Sequence, residues 1–457
     1  MPDTITNLTD DTIFYDDGNG DNNGRELTVE PSSSRTVTKI GRKFRLHLGS
    51  PESKVWEDTH ASNEGTRLLH TSVFHVKAKR NLGRSWKVLK LPEECPWRIY
   101  QTRIFRRQKQ ILILPKRNLS SFLSELPDSL ALSSLLLPGT HDTMAFYGWP
   151  VSQCQFLETP LPVQLQSGIR VLDIRLSVIK GRLIAYHGLS PQRAPFQHIL
   201  SIVHAFLTAP TTRRETLVMS IKQEDFHITS PAVFSQCVHD EVMNGPGGRD
   251  MWFLENRVPS LGEVRGRVVM FSRFGDDGNG WEGGTEGLGM HPTNWPDSEK
   301  LGFTWPCKNT IVRTHDWYAI PSFLSIPEKV ELSTNILLPP EDNPPVPTLS
   351  ITYFSAASFP LGLPPTIARG FGWPGVGLGT EGVNSRVGKW LLDTLGQDPR
   401  EQTSGDLEKG QHRRIMDGPR LRGWAFLDFY TDPVEHGVIP LLVECNYRGR
   451  KRGEEGW

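Results

Sequence analysis

Four short segments, in chain order, carry the side chains of a phosphoryl-transfer site. They are 137–142 (LPGTHD), 171–175 (VLDIR), 185–188 (AYHG) and 424–429 (WAFLDF). Each runs through or follows an apolar, strand-like stretch and delivers an imidazole, a carboxylate or a guanidinium. His141 and His187 supply a base and an acid, Asp142 and Asp428 supply orienting partners, and Arg175 supplies a fixed positive charge. That set suffices for metal-free displacement at phosphorus.

Such residues need a scaffold that ends several strands in one place. Buried strand candidates occur at 134–138, 170–176, 183–187, 216–222, 266–272, 310–313, 349–355 and 424–429. Helical patterns at 195–208, 231–243 and 384–395 lie between some of them, and 119–127 reads as a short helix or connector. Strands that are apolar throughout and alternate with helices predict a parallel sheet covered on both faces. About eight units over 116–445 fit an α/β fold, a (β/α)8 TIM-type barrel. In that fold functional residues gather at the C-terminal strand ends. His141, Asp142, Arg175, His187, Lys222, Glu224, Arg273, Asp316 and Asp428 all fall there.

Residues 1–115 differ. Short runs of mostly alternating polarity, at 44–48, 71–78, 86–91 and 111–114, are separated by polar turns and predict a small antiparallel, sandwich-like β module. Within it, 16–35 is Asp/Asn/Gly/Ser-rich and is expected to be mobile. Residues 446–457 form a basic tail. Two glycine-rich loops, 275–289 and 367–379, and a proline-rich stretch at 325–349 read as irregular excursions, the first of them flexible.

Composition narrows the function. The chain has 457 residues with 51 Lys+Arg against 51 Asp+Glu, a formal net charge of zero. That balance disfavours a nucleic-acid binder that relies on bulk charge, while leaving room for a local basic cleft. Five scattered cysteines without CxxC spacing argue against a disulfide framework or zinc site, and for a cytoplasmic protein with reduced thiols. The N-terminus lacks the pattern of a classical signal peptide, and no run reaches the length of a membrane span. Membrane contact is therefore expected to be peripheral. Trp149, Phe371 and Trp373 are the candidates for it, against the alternative that they pack on their own loops.

At 138–143 (PGTHDT), 166–175 (QSGIRVLDIR), 185–188 (AYHG) and 216–224 (TLVMSIKQE) the residues resemble the X domain of phosphatidylinositol-specific phospholipase C in its bacterial-type, calcium-independent form. Shorter matches follow at 266–273, 315–318, 351–356 and 424–429, so the resemblance covers roughly 120–435. The N-terminal β module resembles extensions on fungal members. The resemblance implies that His141 is the general base, oriented by Asp428, and that His187 is the general acid, paired with Asp142 through Arg175. Arg175 would bind a non-bridging phosphate oxygen. The products would be diacylglycerol and inositol 1,2-cyclic phosphate. Lys222, Arg273, Asp316 and Tyr318 would form the inositol pocket, and no cofactor or metal would be required, because the Arg175 guanidinium stands where a cation would help.

Alternatives stay open at this point. Lys222 also reads as a solvated strand end, Arg273 as a partner of Asp276 or Asp277, and Glu224 and Asp225 as solvated or ion-paired. The same residues also fit a phosphodiesterase of this fold acting on another phospholipid, a lysophospholipid or a glycosyl-inositol lipid, or a catalytically idle lipid-binding module.

Overall fold

The apolar runs become a curled sheet whose strand order is not the chain order. The computed structural model describes residues 2–16, 27–48, 72–78, 83–105, 108–340, 344, 346–360, 362–374, 378–396, 413–414, 420–434 and 437–449. Expectations that fall on 17–26, on the start of the 71–78 run and on most of the basic tail lie outside them. The chain divides into two compact units: 1–116 with 375–377 and 389–418, and 117–374 with 378–388 and 419–457.

In the larger unit eight strands run parallel. Their spatial order is Trp252–Phe253, Val268–Arg273, Leu217–Gln223, Val171–Ile179, Leu136–Thr140, Gly423–Leu427, Thr348–Tyr353 and Thr310–His315. Phe303–Cys307 adds an antiparallel edge. The sheet curls as an irregular α/β TIM-type barrel. One edge of Val268–Arg273 is covered below by Trp252–Phe253 and above by Met290, whose carbonyl accepts from Ser272 N at 2.9 Å. Phe271 fills the interior, its ring stacked on Trp305 (centroids 5.9 Å apart) and edge-on to Trp424 (6.2 Å).

The 183–187 run departs from the expected pattern. Arg182–His187 turns back antiparallel on Val171–Ile179 and continues into the Ser190–Pro195 hairpin. It is an appendage to one barrel strand rather than a strand of the barrel wall. A short run of apolar and polar residues does not distinguish the two. The helices fall where periodicity puts them. Phe196–Thr208 buries Phe196, Ile199, Leu200, Val203, Phe206 and Leu207, one stripe at helical spacing. Pro231–Met243 begins at the Ser230 cap with proline in its first turn.

Two irregular excursions are more ordered than expected. In 275–289, Trp281 is buried and its Nε1 donates to Ser235 Oγ at 2.7 Å, which fastens the loop to the Pro231–Met243 helix. The first half of 325–349 is the helix Ile326–Asn335, with Pro327 in the first turn, where a missing N–H costs nothing. The third, 367–379, starts in the helix Pro364–Arg369 and continues as the hairpin Gly370–Trp373 with Leu378–Glu381.

At the N-terminal strand ends, Arg170 and Glu215 form a fully buried ion pair (Nε–Oε2 2.8 Å). The Arg170 guanidinium also donates to four carbonyls, those of Leu165, Ile169, Leu119 and Ser120. This end of a barrel serves stability.

The smaller unit holds a four-stranded sheet ordered Leu27–Val29, Ile13–Asp16, Lys43–Leu48, Phe74–Lys77, and a six-stranded one. Ile5, Leu46, Val76, Ile99 and Ile113 lie in their shared hydrophobic core. The six-stranded sheet is not wholly antiparallel, because Asp3–Asn7 pairs parallel with Gln108–Pro115.

Candidate active site

The ladder itself aligns the charged residues. Arg175 pairs in register with Lys222, and Lys222 with Arg273, so three cations stand in one row on adjacent parallel strands. Asp173, two residues before Arg175, points to the same face. On the opposite side of Val171–Ile179, Leu136–Thr140 and Gly423–Leu427 run side by side and end in His141–Asp142 and Asp428. Gly139 permits that approach, since a Cβ there would lie 2.9 Å from the Val171 carbonyl oxygen and Cβ. Asp142 follows at φ +42°, a left-handed conformation that aspartate tolerates better than most residues.

Two histidine–carboxylate pairs result. His141 Nδ1 lies 2.8 Å from Asp428 Oδ1, and His141 Nε2 lies 2.7 Å from Arg175 Nη2. A guanidinium only donates, so Nε2 is the acceptor and the imidazole proton sits on Nδ1, facing Asp428. The unprotonated nitrogen of His141 therefore faces the Arg175 cation. His187 Nδ1 lies 2.9 Å from the Ser152 carbonyl and 3.0 Å from Asp142 Oδ2, leaving Nε2 for the pocket. The two imidazoles face each other edge-on, 6.5 Å apart.

Arg175 sits among carboxylates. Its Nε is 3.2 Å from Asp173 and 3.6 Å from Asp142, and its Nη1 is 3.3 Å from Glu224. Burial opposes ionisation of Asp173, but Arg175, His141 and Arg273 outweigh it and hold this carboxyl far below its ordinary range. Asp142 is pushed the other way, by burial and by the neighbouring acids, against Arg175. Burial, then the Arg175 and His141 charges, bring His187 down to about 3. Lys222 is lowered by Arg175 and by burial.

The expected pocket residues converge. A cavity of about 730 Å³ is lined by His141, Arg175, His187, Lys222, Arg273, Asp316, Tyr318 and Asp428, among others. Lys222 is no solvated strand end, because its Nζ pairs with Glu224 at 3.2 Å. Arg273 does not pair with Asp276 or Asp277. Its guanidinium lies 4.0 Å from both Asp173 and Asp316 and stacks 3.9 Å over the Trp295 ring. Asp316 accepts from Trp295 Nε1 at 2.9 Å. Tyr318 donates to Asp297 at 2.5 Å, which pushes its phenol up to about 12.

Sequence reasoning passed over several participants. Asp173 was legible from its i, i+2 spacing to Arg175. Glu224 is indeed ion-paired, yet it also accepts from Gly188 N at 2.8 Å and so ties the His187 turn to the cation row. Gln155 Nε2 donates to the carbonyls of His141 and Leu427, bracing both strand ends. Trp149, Phe371 and Trp373 are all exposed, as are Val151, Leu189 and Phe359. Of these, Val151 lines the cavity. Among the described residues no helix is long and apolar enough to cross a membrane.

Comparison with known proteins bears on this arrangement. A 1-phosphatidylinositol phosphodiesterase of Listeria monocytogenes is 32% identical over 165 residues, 33% of this chain and 48% of that protein. One of Staphylococcus aureus strain Newman is 27% identical over 167 residues, 34% of this chain and 51% of that protein. Over these residues the chain is similar to phosphatidylinositol phosphodiesterases. No family model matches it. The match spans about half the length of these curated relatives. Solved structures of the Staphylococcus aureus phosphatidylinositol-specific phospholipase C align over 72% of this chain and 98% of theirs, with a TM-score of 0.53 and 19% identity. The chain shares their barrel fold.

Proposed function

We propose that this chain cleaves phosphatidylinositol to diacylglycerol and inositol 1,2-cyclic phosphate without a metal. The observation that carries this reading is Arg175, held between the two histidine–carboxylate pairs with Nη2 at 2.7 Å from His141 Nε2. His141 takes the proton of the inositol 2-hydroxyl, and that oxygen attacks phosphorus. The bond to the diacylglycerol oxygen breaks, and His187, protonated on Nε2, delivers its proton to the leaving oxygen. Arg175 neutralises the non-bridging oxygen whose charge grows at the transition state. Asp428 stabilises the imidazolium that forms on His141. Lys222, Arg273 and Asp316 address the ring hydroxyls, and Tyr318 offers a face for the ring.

The exposed Trp149, Phe371 and Trp373 support docking on a lipid surface, with the five free cysteines favouring a cytoplasmic placement. The division into an accessory module over 1–115, a barrel over 116–445 and a basic tail over 446–457 belongs to the same proposal. Limited proteolysis that frees an intact barrel near residue 116 is its test.

The deciding experiment is hydrolysis of phosphatidylinositol micelles by the purified chain in excess EDTA, with phosphorus NMR of the products. A five-membered cyclic phosphate signal is expected. Turnover that appears only when calcium or magnesium is restored would overturn the role given to Arg175. No turnover in either condition would move the weight to another lipid or to binding alone.

A further inference from the structure

From the geometry we infer that Asp142, Cys154 and His187 form a binding site for a thiophilic divalent cation of the zinc or cadmium class, and that filling it shuts the enzyme down. The inhibition rests on the catalytic reading given above. The binding does not.

Cys154 is buried behind His187, with its Sγ 3.7 Å from His187 Nδ1. Nδ1 in turn lies 3.0 Å from Asp142 Oδ2, and all three ligand atoms lie within 4.8 Å of one another. A tetrahedral zinc ion with bonds of about 2.3 Å to sulfur and about 2.1 Å to nitrogen and oxygen sets its S–N and N–O ligand edges at about 3.6 and 3.4 Å. The S–N spacing of 3.7 Å and the N–O spacing of 3.0 Å already approach those edges.

A second observation points to a ligand. Asp142 Oδ2 is buried and accepts no hydrogen bond of good geometry: His187 Nδ1, 3.0 Å away, is directed at the Ser152 carbonyl, and Arg175 Nε stands off at 3.6 Å. A buried carboxylate oxygen left without a donor is costly, and a cation would relieve that cost. The alternative grouping of His141, Cys154 and Asp428 is also close, but its carboxylate is already committed to His141 Nδ1 at 2.8 Å. The charge opposing a cation is Arg175, whose Nε lies 3.6 Å from Asp142 Oδ2. Asp173 and Glu224 share that guanidinium, so it is not left without partners if the Asp142 carboxylate turns to a metal. His187 lines the cavity and is the route in.

The step balances with one proton released. The Cys154 thiol loses its proton and binds as thiolate. The imidazole proton moves from Nδ1 to Nε2, which frees Nδ1 to ligate and gives up the Ser152 hydrogen bond. The imidazole is then neutral and metal-bound, and it no longer carries the extra proton needed by the leaving group.

The test titrates cadmium chloride into the full-length chain and follows thiolate-to-cadmium charge-transfer absorption, alongside phosphatidylinositol cleavage. The wild type is expected to take up one equivalent with this absorption and to lose at least tenfold of its activity. Cys154→Ala should show no such band, and one equivalent of cadmium should change its own rate by less than threefold. Where circular dichroism shows that Cys154→Ala has not folded, Asp142→Asn carries the test, with cadmium affinity expected to fall at least tenfold. The inference is overturned by a wild type without the band, by a band that persists in Cys154→Ala, or by equal inhibition of both proteins. A Cys154-dependent band in a chain without turnover would support the site while sinking the catalytic reading.

Discussion

Replacing Asp428 by asparagine tests how His141 is activated. Asp428 and the His141 imidazole are nearly enclosed, with side chains 1% and 13% exposed, and their hydrogen bond is 2.8 Å long. When His141 takes a proton, the new imidazolium faces a carboxylate about 4 Å away between charge centres, worth roughly 4 kcal/mol at an effective dielectric constant of about 20. Asparagine removes that charge. It need not invert the tautomer, because its Oδ1 still accepts from Nδ1. Arg175 Nη2, 2.7 Å from Nε2, also disfavours a proton there. The loss is therefore electrostatic alone, about 10²–10³ in kcat, where an inverted tautomer would cost about 10⁴. The assay is steady-state release of cyclic phosphate from mixed micelles, with circular dichroism to confirm folding. A variant within threefold of wild type would refute the pairing. A loss beyond about 10⁴ in a folded variant would refute the claim that Arg175 keeps the tautomer in place.

Three further outcomes are expected. His187 is held at about 3 in the free protein, so it is neutral at pH 6, and an anionic phosphate beside Arg175 should raise it. Binding of a non-hydrolysable inositol phosphonate should then take up protons between pH 5 and 7, read by calorimetry in buffers of different ionisation enthalpy; an enthalpy independent of buffer would count against the general-acid assignment. Arg170→Met leaves Glu215 charged and unpaired in the barrel floor and should cost about 3–5 kcal/mol of stability by urea denaturation, a loss that Arg170→Met/Glu215→Leu recovers in large part. Burial lowers Lys329 to about 7. A lowered amine binds fewer protons folded than unfolded between about pH 7 and its ordinary value, so its burial penalty is full below pH 7 and fades as pH rises. Lys329→Met should therefore raise the denaturation midpoint more at pH 6 than at pH 9.5, and the reverse order would contradict the reading.

The sequence discloses the residues that line the cavity well, for a physical reason. Parallel strands buried on both faces read as unbroken apolar runs, and the polar residue that ends each run is conspicuous. His141, Lys222, Arg273, Asp316 and Asp428 stand at or next to such ends, while Arg175 interrupts the middle of Val171–Ile179. What stayed hidden depends on chain reversal or on contacts distant in sequence. Nothing in 183–187 signals that it folds back on 176–179 rather than entering the wall. Ser152, Cys154 and Gln155 lie in a loop with no pattern, and only the folded chain sets them behind the histidines. Trp281 shows how one aromatic residue fastens a glycine-rich loop that composition alone reads as loose. Trp295, far from either strand end, joins the site by lying across Arg273.

The row of Arg175, Lys222 and Arg273 acts as a ruler. Neighbouring strands stand about 4.8 Å apart, and the spacing is held by backbone hydrogen bonds rather than by the side chains. Shifting one cation along the row would mean slipping a strand by two residues, since a slip of one turns its side chains to the other face. The positions from which the three cations face the cavity are therefore insulated from the loops above them. Those loops can lengthen, shorten or change composition and alter which molecules reach the cavity, while the spacing of the three cations stays the same.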